Sequence, residues 1–298
     1  MKALAFDRYG DPNVLAITDV PEPHPGPRKI RIAVRAAGAS PADAALRSGA
    51  WRDRIPLTLP HVVGLDAAGI VDEIGHDVTG VQPGDEVFGC ALGGGTTAAY
   101  AVLDAWAPKP AALPWPAAGA AATSIETSLR ALDHLKVDRG TTVLLDGASG
   151  GVGAIAVQIA VARGARVIGT ASADNHEFLR TLGATPVHHG PDLAARTGPV
   201  DAAIDVSGKG SLAELVAATG SPDRVVTLIN PAAEAEGIEL LRYDPAADHS
   251  AALRRGAQLI ADGKLTVPIL RTYPLSAGSE AHAQLETGHT QGKIAFAR

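Results

Sequence analysis

The segment Gly147-Ala148-Ser149-Gly150-Gly151-Val152-Gly153 restricts the fold of this chain more than any other. It follows an apolar run, Thr142-Val143-Leu144-Leu145, and opens an Ala/Val/Ile pattern at helical spacing from Ala154 to Ala162. A second β-rich run, Ala165 to Thr170, comes next, so the order is strand, glycine turn, helix, strand. Small residues let a backbone approach a pyrophosphate closely, and the free N–H groups and positive dipole end of the helix face it. Ala148, Gly150 and Gly153 keep the spacing of the dinucleotide fingerprint, with Ala in place of its first Gly. The expectation is a phosphate-binding turn with Ser149, Gly150, Gly151 and Val152 against the ligand. The alternative is a tight turn without one.

A fold selective for NAD places Asp or Glu at the end of the second strand to hold the ribose hydroxyls. Here that place reads Gly169-Thr170-Ala171-Ser172, and Asp174 and Glu177 come later beside Asn175, His176 and Arg180. Hydroxyls, an amide and cationic groups suit a 2′-phosphate, which an acid would repel. NADP(H) is therefore expected over NAD(H), with Ser172, Asn175 and Arg180 near its phosphate. Taken singly, Asn175 also suits a helix cap and Arg180 a solvated helix face.

With 298 residues, 46% of them hydrophobic, the chain has material for two domains with sizeable cores. A net charge of −6 with no basic block argues against a nucleic-acid partner. Met1-Lys2-Ala3-Leu4-Ala5-Phe6-Asp7-Arg8 meets charge before any long apolar stretch, so no membrane segment and a cytoplasmic location are expected. Cys90 is the only cysteine, which excludes an intramolecular disulfide and a four-cysteine zinc site. It fits best as a small buried residue.

The first third is strand-like and punctuated: Lys29 to Ala36 alternates, Val62 to Ile74 is apolar, and Pro83-Gly84-Asp85 turns into Glu86-Val87-Phe88. Pro108, Pro110, Pro114 and Pro116 then mark a domain crossing. Beyond Gly140 strands and helices alternate through Val225 to Ile229, the pattern of a doubly wound parallel sheet. Elements at Ala251 to Asp262, Val267 to Leu270, Ser279 to Leu285 and Lys293 to Phe296 are free to rejoin the β domain.

Several ordered motifs together resemble a known family. They are Ser40-Pro41-Ala42-Asp43 leading to Arg47-Ser48-Gly49, Gly64-Leu65-Asp66-Ala67-Ala68-Gly69, Val81 to Gly89, the glycine turn, and Gly288-His289-Thr290-Gln291-Gly292-Lys293-Ile294. Over essentially the whole chain the likeness is to the zinc-free, quinone oxidoreductase-like and enoyl reductase-like branch of the medium-chain dehydrogenase/reductase superfamily. The resemblance implies an α/β chain with a GroES-like substrate domain from residues 1–112 and 246–298, and a Rossmann NADP(H)-binding domain at 113–245. It implies hydride transfer to a quinone or to the C=C bond of an α,β-unsaturated carbonyl. Zinc-dependent members carry a Cys near Ser40 and a His-Glu pair where this chain has Leu65-Asp66, so no metal site is expected.

By the same resemblance Thr127 lies by the nicotinamide, Lys293 on the cofactor side, and Val206-Ser207 and Leu228-Ile229-Asn230 at strand ends facing the ligand cleft. Without it, Ser207, Asn230 and Lys293 read as a turn hydroxyl, an Asn-Pro turn and a solvated lysine. Ser40, Asp43 and Trp51 are the residues nominated for the substrate end. Several relatives carry a tyrosine where this chain has Ala44-Ala45, so bulk water or a ligand hydroxyl is left to supply the proton. Asp43 and Arg47, four apart, alternatively pair across one helical turn. His61 and His188-His189 have no partner residues that form a triad or metal set and fit ordinary polar positions. Two other functions stay open: a pathway-specific enoyl or ring reductase inactive on simple quinones, and a non-catalytic NADPH-binding sensor or scaffold. A homodimer is expected, with the Arg224 to Ile229 strand at a sheet edge as the pairing surface.

Overall fold

The computed structural model describes residues 1–288 and 290–297, which leaves His289 of the C-terminal motif outside the described residues. Along the chain come β1 (Lys2–Phe6), β2 (Ala16–Asp19), β3 (Ile30–Ala39), α1 (Pro41–Ser48), β4 (His61–Val62), β5 (Asp66–Ile74), β6 (Glu86–Cys90), β7 (Tyr100–Leu103), β8 (Ala105–Pro108) and α2 (Trp115–Gly119). There follow α3 (Ala122–His134), β9 (Thr142–Asp146), α4 (Gly151–Ala162), β10 (Arg166–Thr170), α5 (His176–Thr181), β11 (Thr185–Val187), α6 (Leu193–Thr197), β12 (Ala202–Asp205), α7 (Leu212–Thr219), β13 (Val225–Thr227) and β14 (Glu239–Leu240). The last are α8 (His249–Ala261), β15 (Ile269–Pro274), α9 (Gly278–Glu286) and β16 (Lys293–Ala297). This α/β chain divides into two units, Met1–Thr123 with Asp248–Ala261 and Val267–Arg298, and Ser124–Ala247 with Asp262–Thr266.

In the first unit the main sheet runs β15-β16-β3-β5-β6-β8, with β7 also on β3, and β2-β1-β4 form a smaller sheet. β3 lies antiparallel to β5, β7 and β16, so the carboxyl-terminal strands complete a sheet begun by the amino-terminal ones. The alternation from Ile30 turns Ile30, Ile32 and Val34 into a core with Val71, Val87 and Leu103. Gly69 is required there, because a Cβ at that position would stand 2.2 Å from the Ala33 carbonyl oxygen.

The second unit holds a parallel sheet in the order β11-β10-β9-β12-β13-β14. The chain winds one way from β9 through β10 to β11 and the other way from β12, which puts the switch point beside β9, the place where such sheets bind ligands. All five residues of β9 are buried, as expected for a strand covered on both faces. α4 is buried from Gly153 to Ala160 and apolar but for Gln158, whose amide donates to the carbonyls of Ala154 and Thr266. The expected edge position of the strand near Arg224 to Ile229 is incorrect. β13 pairs on one side with β12 and on the other with β14, through Val226 to Glu239 and Thr227 to Leu240. β14 has two residues, too few to leave a periodic signal, and it takes the edge. No helix among the described residues is long and apolar enough to cross a membrane.

The expected Asp43–Arg47 pair is absent as well. The carboxylate of Asp43 is taken by Ser40 and Gly64, so Arg47 turns to α9. There its fully buried guanidinium donates to the Gly10 carbonyl at 2.6 Å and pairs with Glu286. His282 of α9 is fully buried too, and neither ring nitrogen has a protein hydrogen-bond partner. Burial, reinforced by the charge of Arg47, pushes the His282 imidazole down to about 4. Its folded pKa lies below the unfolded one, so its stabilising contribution is complete above about pH 6.5 and is lost as pH falls toward 4. Relative to His282→Leu, the wild-type protein should lose up to about 3 kcal/mol across that window in urea titrations. Parallel pH profiles for the two proteins would show that His282 is not held neutral.

Candidate functional site

The glycine turn is built on backbone that excludes larger residues. Gly147 has φ +87°, and a Cβ there would meet Ser207 at 3.1 Å. A Cβ on Gly153 would stand 2.3 Å from the Gly147 carbonyl oxygen. Gly150 differs, since its Cβ would find only the Gly147 oxygen, at 3.6 Å, and otherwise open space. Gly150 caps α4 with no side-chain bond to the first turn, and its own N–H donates to the Gly147 carbonyl at 3.2 Å, so the donors left without a side-chain partner are the first-turn amides of Gly151 and Val152. Ser149, Gly150, Gly151 and Val152 are half-buried, whereas α4 is buried from Gly153 onward. A cradle of open small residues with free amides fits the phosphates of a dinucleotide.

Beneath the turn lies a carboxylate network. Buried Asp146, at the end of β9, accepts from the Thr170 hydroxyl at 2.5 Å and the Ser207 hydroxyl at 2.6 Å. Thr170 Oγ1 in turn accepts the Gly147 N–H at 2.9 Å. Buried Asp205, at the end of β12, accepts from the Ser207 and Gly208 amides at 3.0 and 2.8 Å and from the Thr227 hydroxyl at 2.8 Å. Sequence reasoning passed over Asp146, Asp205 and Thr227, although an Asp or Thr closing each apolar strand run was a visible signal. Val206-Ser207 and Leu228-Ile229-Asn230 do follow the ends of β12 and β13. Ser207 spends its hydroxyl proton on this network, and Asn230 Oδ1 accepts the Ala232 N–H at 3.0 Å as the cap of its Asn-Pro turn.

The glycine turn and the end of β10 are joined by one side chain. Asn175 Nδ2 donates to Ser149 Oγ at 3.2 Å and to Ser172 Oγ at 3.3 Å. Arg180 is not brought to this cluster by any contact, because its exposed guanidinium pairs with Glu177 one turn away at 3.0 Å. Thr127 Oγ1 donates to Glu126 at 3.3 Å beside Arg130. The next residue, Ser128, donates to the Val152 carbonyl at 3.2 Å and ties α3 to the start of α4.

In the first unit Ser40 and Asp43 are brought together. Ser40 donates its N–H at 2.8 Å and its hydroxyl at 2.7 Å to Asp43 Oδ2, and the Gly64 N–H donates to Oδ1 at 3.1 Å. This brace is the return contact of a capping box, which Ser40-Pro41-Ala42-Asp43 spells in sequence. Burial pushes Asp43 up to about 6 against the pull of the Ser40 bonds. The stability gained from its protonated form is complete below about pH 3.8 and lost as pH rises through about 6. Trp51 sits half-buried in the turn after α1, where its carbonyl accepts from Arg54 and Ile55 at 2.9 and 2.8 Å.

Lys293 is not solvated. It is buried and pairs with Asp66 at 3.3 Å, and Asp66 also accepts the N–H and hydroxyl of Thr123, each at 2.7 Å. The physical reason is charge balance, since an ammonium taken out of water is compensated by the buried carboxylate beside it. Asp66, Lys293 and Thr123 had no local sequence signal as a set. Asp66 stands in the place of a zinc ligand of metal-dependent relatives, yet its oxygens are committed to an ammonium and to Thr123. Among the described residues no group of three or more His, Cys, Asp or Glu side chains is arranged to hold a metal ion. The residues present do not fit a zinc site.

Replacing Lys293 by Met should leave Asp66 charged and buried, with a loss of about 3–5 kcal/mol in urea unfolding. The Asp66→Asn, Lys293→Met double variant should recover much of that loss. A single variant within about 1 kcal/mol of wild type would show that the pair does not compensate buried charge.

Comparisons with known proteins agree with this geometry. Residues 26–113 match the family model described as alcohol dehydrogenase GroES-like domain, and residues 182–295 match that described as zinc-binding dehydrogenase. The mouse quinone oxidoreductase is 38% identical over a stretch covering 60% of this chain and 55% of the mouse protein, so the chain spans about half the length of such relatives. The chloroplast envelope quinone oxidoreductase homolog of Arabidopsis thaliana is 31% identical over 99% of this chain and 97% of its own. The polyketide synthase system protein NorB of Streptomyces orinoci is 37% identical over 61% of this chain and 8% of that protein. Among solved structures, the Coxiella burnetii quinone oxidoreductase superposes with a TM-score of 0.85 at 31% identity, covering 100% of this chain and 99% of that one. The Escherichia coli quinone oxidoreductase, solved with NADPH, does so with a TM-score of 0.85 at 26% identity and covers 100% of both chains. With a GroES-like β unit, a parallel doubly wound sheet and a near full-length relative above 30% identity, the chain belongs to the zinc-independent, quinone oxidoreductase-like branch of the medium-chain dehydrogenase/reductase superfamily.

Proposed function

We propose that the protein is an NADPH-dependent, zinc-independent reductase of a small quinone or of the C=C bond of an α,β-unsaturated carbonyl. One observation carries this reading. The open glycine turn is bonded through Asn175 to a strand end of hydroxyl and amide groups with no carboxylate in the ribose-binding place. When bound, NADPH supplies a hydride. The open backbone at Gly150 and the amides of Gly151 and Val152 hold the pyrophosphate, and Ser172 donates to the 2′-phosphate with Asn175 holding Ser172 and Ser149 in place. Asp146 and Asp205 fix these loops in advance, which spares their ordering entropy on binding. Ser40 and Asp43 act on the substrate side as a brace for α1 and Gly64, since Asp43 has both oxygens occupied. Trp51 is left as the nominated lining residue, and the proton comes from bulk water or a ligand hydroxyl. The likeness to NorB supports a second reading, a reductase of one polyketide-type enone.

NADPH at a hundredfold excess over its Kd should stabilise the protein by about 2.7 kcal/mol, read as a rise in Tm. Gly150→Val should abolish that rise by filling the open cradle. NADPH oxidation should proceed with a simple quinone or an enone and survive a chelator. Activity confined to one elaborate enone selects the second reading, and tight binding without turnover on any acceptor selects a sensor. No change in Tm and no fluorescence quenching with NADPH would end the proposal.

A further inference from the structure

Beyond the end of β10 two histidines from neighbouring elements meet. His176 opens α5 and His188 follows β11, and their rings stand 4.6 Å apart between centroids at 51°. The pair adjoins the phosphate-side cluster directly, because His176 follows Asn175 in the chain and its Nε2 lies 3.3 Å from the carbonyl of Ala171. That contact leaves Nδ1 as the ring nitrogen of His176 not turned to the backbone. His188 is exposed. Its ring meets that of His176 at a tilt rather than in a parallel stack.

We propose that His176 and His188 are the cationic part of the 2′-phosphate subsite, so that the preference for NADP(H) over NAD(H) is strong in mildly acidic solution and fades as the rings lose their protons. The inference rests on the dinucleotide-binding reading above. Arg180, the fixed cation nearest in sequence, is paired with Glu177, so a histidine charge is what remains on α5 to meet a phosphate. Two imidazolium rings this close repel one another, and a phosphate dianion beside them removes that penalty. Binding therefore draws protons onto the pair.

The surrounding charges are few. On the α5 side they are Asp174, Glu177 and Arg180, the last two paired with each other. After β11 comes His189, which is exposed. From α6 the Arg196 guanidinium donates to the carbonyls of His188, Gly190 and Pro191 at 3.1, 3.3 and 2.5 Å, and Asp192 precedes that helix. Arg196 adds positive charge at every pH of interest, and only the histidines change theirs between about pH 5 and 8.

The test is calorimetric binding of 2′,5′-ADP and of 5′-ADP to the whole protein near pH 6 and near pH 8. The ratio of the two Kd values in favour of 2′,5′-ADP should fall about tenfold toward pH 8, the size of one charge-assisted contact. The phosphate itself ionises further over this range, its second pKa lying near 6, which pushes the opposite way. The sign therefore identifies the protein groups. Proton uptake on binding 2′,5′-ADP, seen as a buffer-dependent enthalpy near pH 7, is the second readout. His188→Gln, at an exposed site, should remove most of the fall and of the uptake, whereas His189→Gln should leave both. A ratio that is flat or rises with pH in the wild type, or a fall that persists in His188→Gln, overturns the inference. Failure of both nucleotides to bind overturns the dinucleotide reading and this one together, whereas pH-independent preference for 2′,5′-ADP overturns this one alone.

Discussion

The buried carboxylate of Asp146 is the constraint on which the ligand-facing end of the parallel sheet depends. An acid at that depth is tolerated only when its oxygens are bonded. Its donors come from Thr170 on β10 and from Ser207 just past β12, the strands on either side. One side chain thus ties three strand ends together and, through Thr170, fixes the Gly147 amide at the head of the glycine turn. The amides of the next residues are left free of side-chain partners. Asp205 repeats the device one strand further on. The turn is bonded where it meets the sheet and open at Gly150, the combination that suits a phosphate.

The first unit manages buried charge in another way. Asp43 and Asp66 are both buried, and one ammonium, from Lys293, lies among them. Asp66 takes the cation and Asp43 takes backbone and hydroxyl donors, and burial pushes Asp43 up to about 6. Metal-dependent relatives carry a zinc ligand in the place of Asp66. Here the compensating cation is part of the chain itself, carried on the last strand. That arrangement couples β5 to β16 across 227 residues and gives the unit a reason to recruit its carboxyl-terminal strand.

Where chemistry and spacing were local, the sequence was legible. The strand, glycine turn and helix at 142–162 are found where the apolar periodicity put them, whereas Ser40 and Asp43, read as substrate-lining, prove to brace each other at the start of α1. Non-local partnerships were not legible. Asp43 and Arg47 have the spacing of a helical ion pair, yet the helix start captured the acid first and left the arginine to α9. Nothing near Lys293 signals Asp66, because they meet only through the pairing of β16 with β3 and of β3 with β5. β13 reads as an edge because the two-residue β14 that covers it is too short for a pattern. The contact of His188 with His176 was not legible either, since the two lie on different elements.

The central claim is that residues 149–152 and 172–176 form one binding surface for a 2′-phosphorylated dinucleotide. Amide NMR of the labelled protein titrated with NADPH tests it most directly. The account predicts saturable shifts concentrated at Gly150, Gly151, Val152, Ser172 and His176, with the last two responding less to NADH. Shifts confined to other parts of the chain, or none at saturating NADPH, would contradict it.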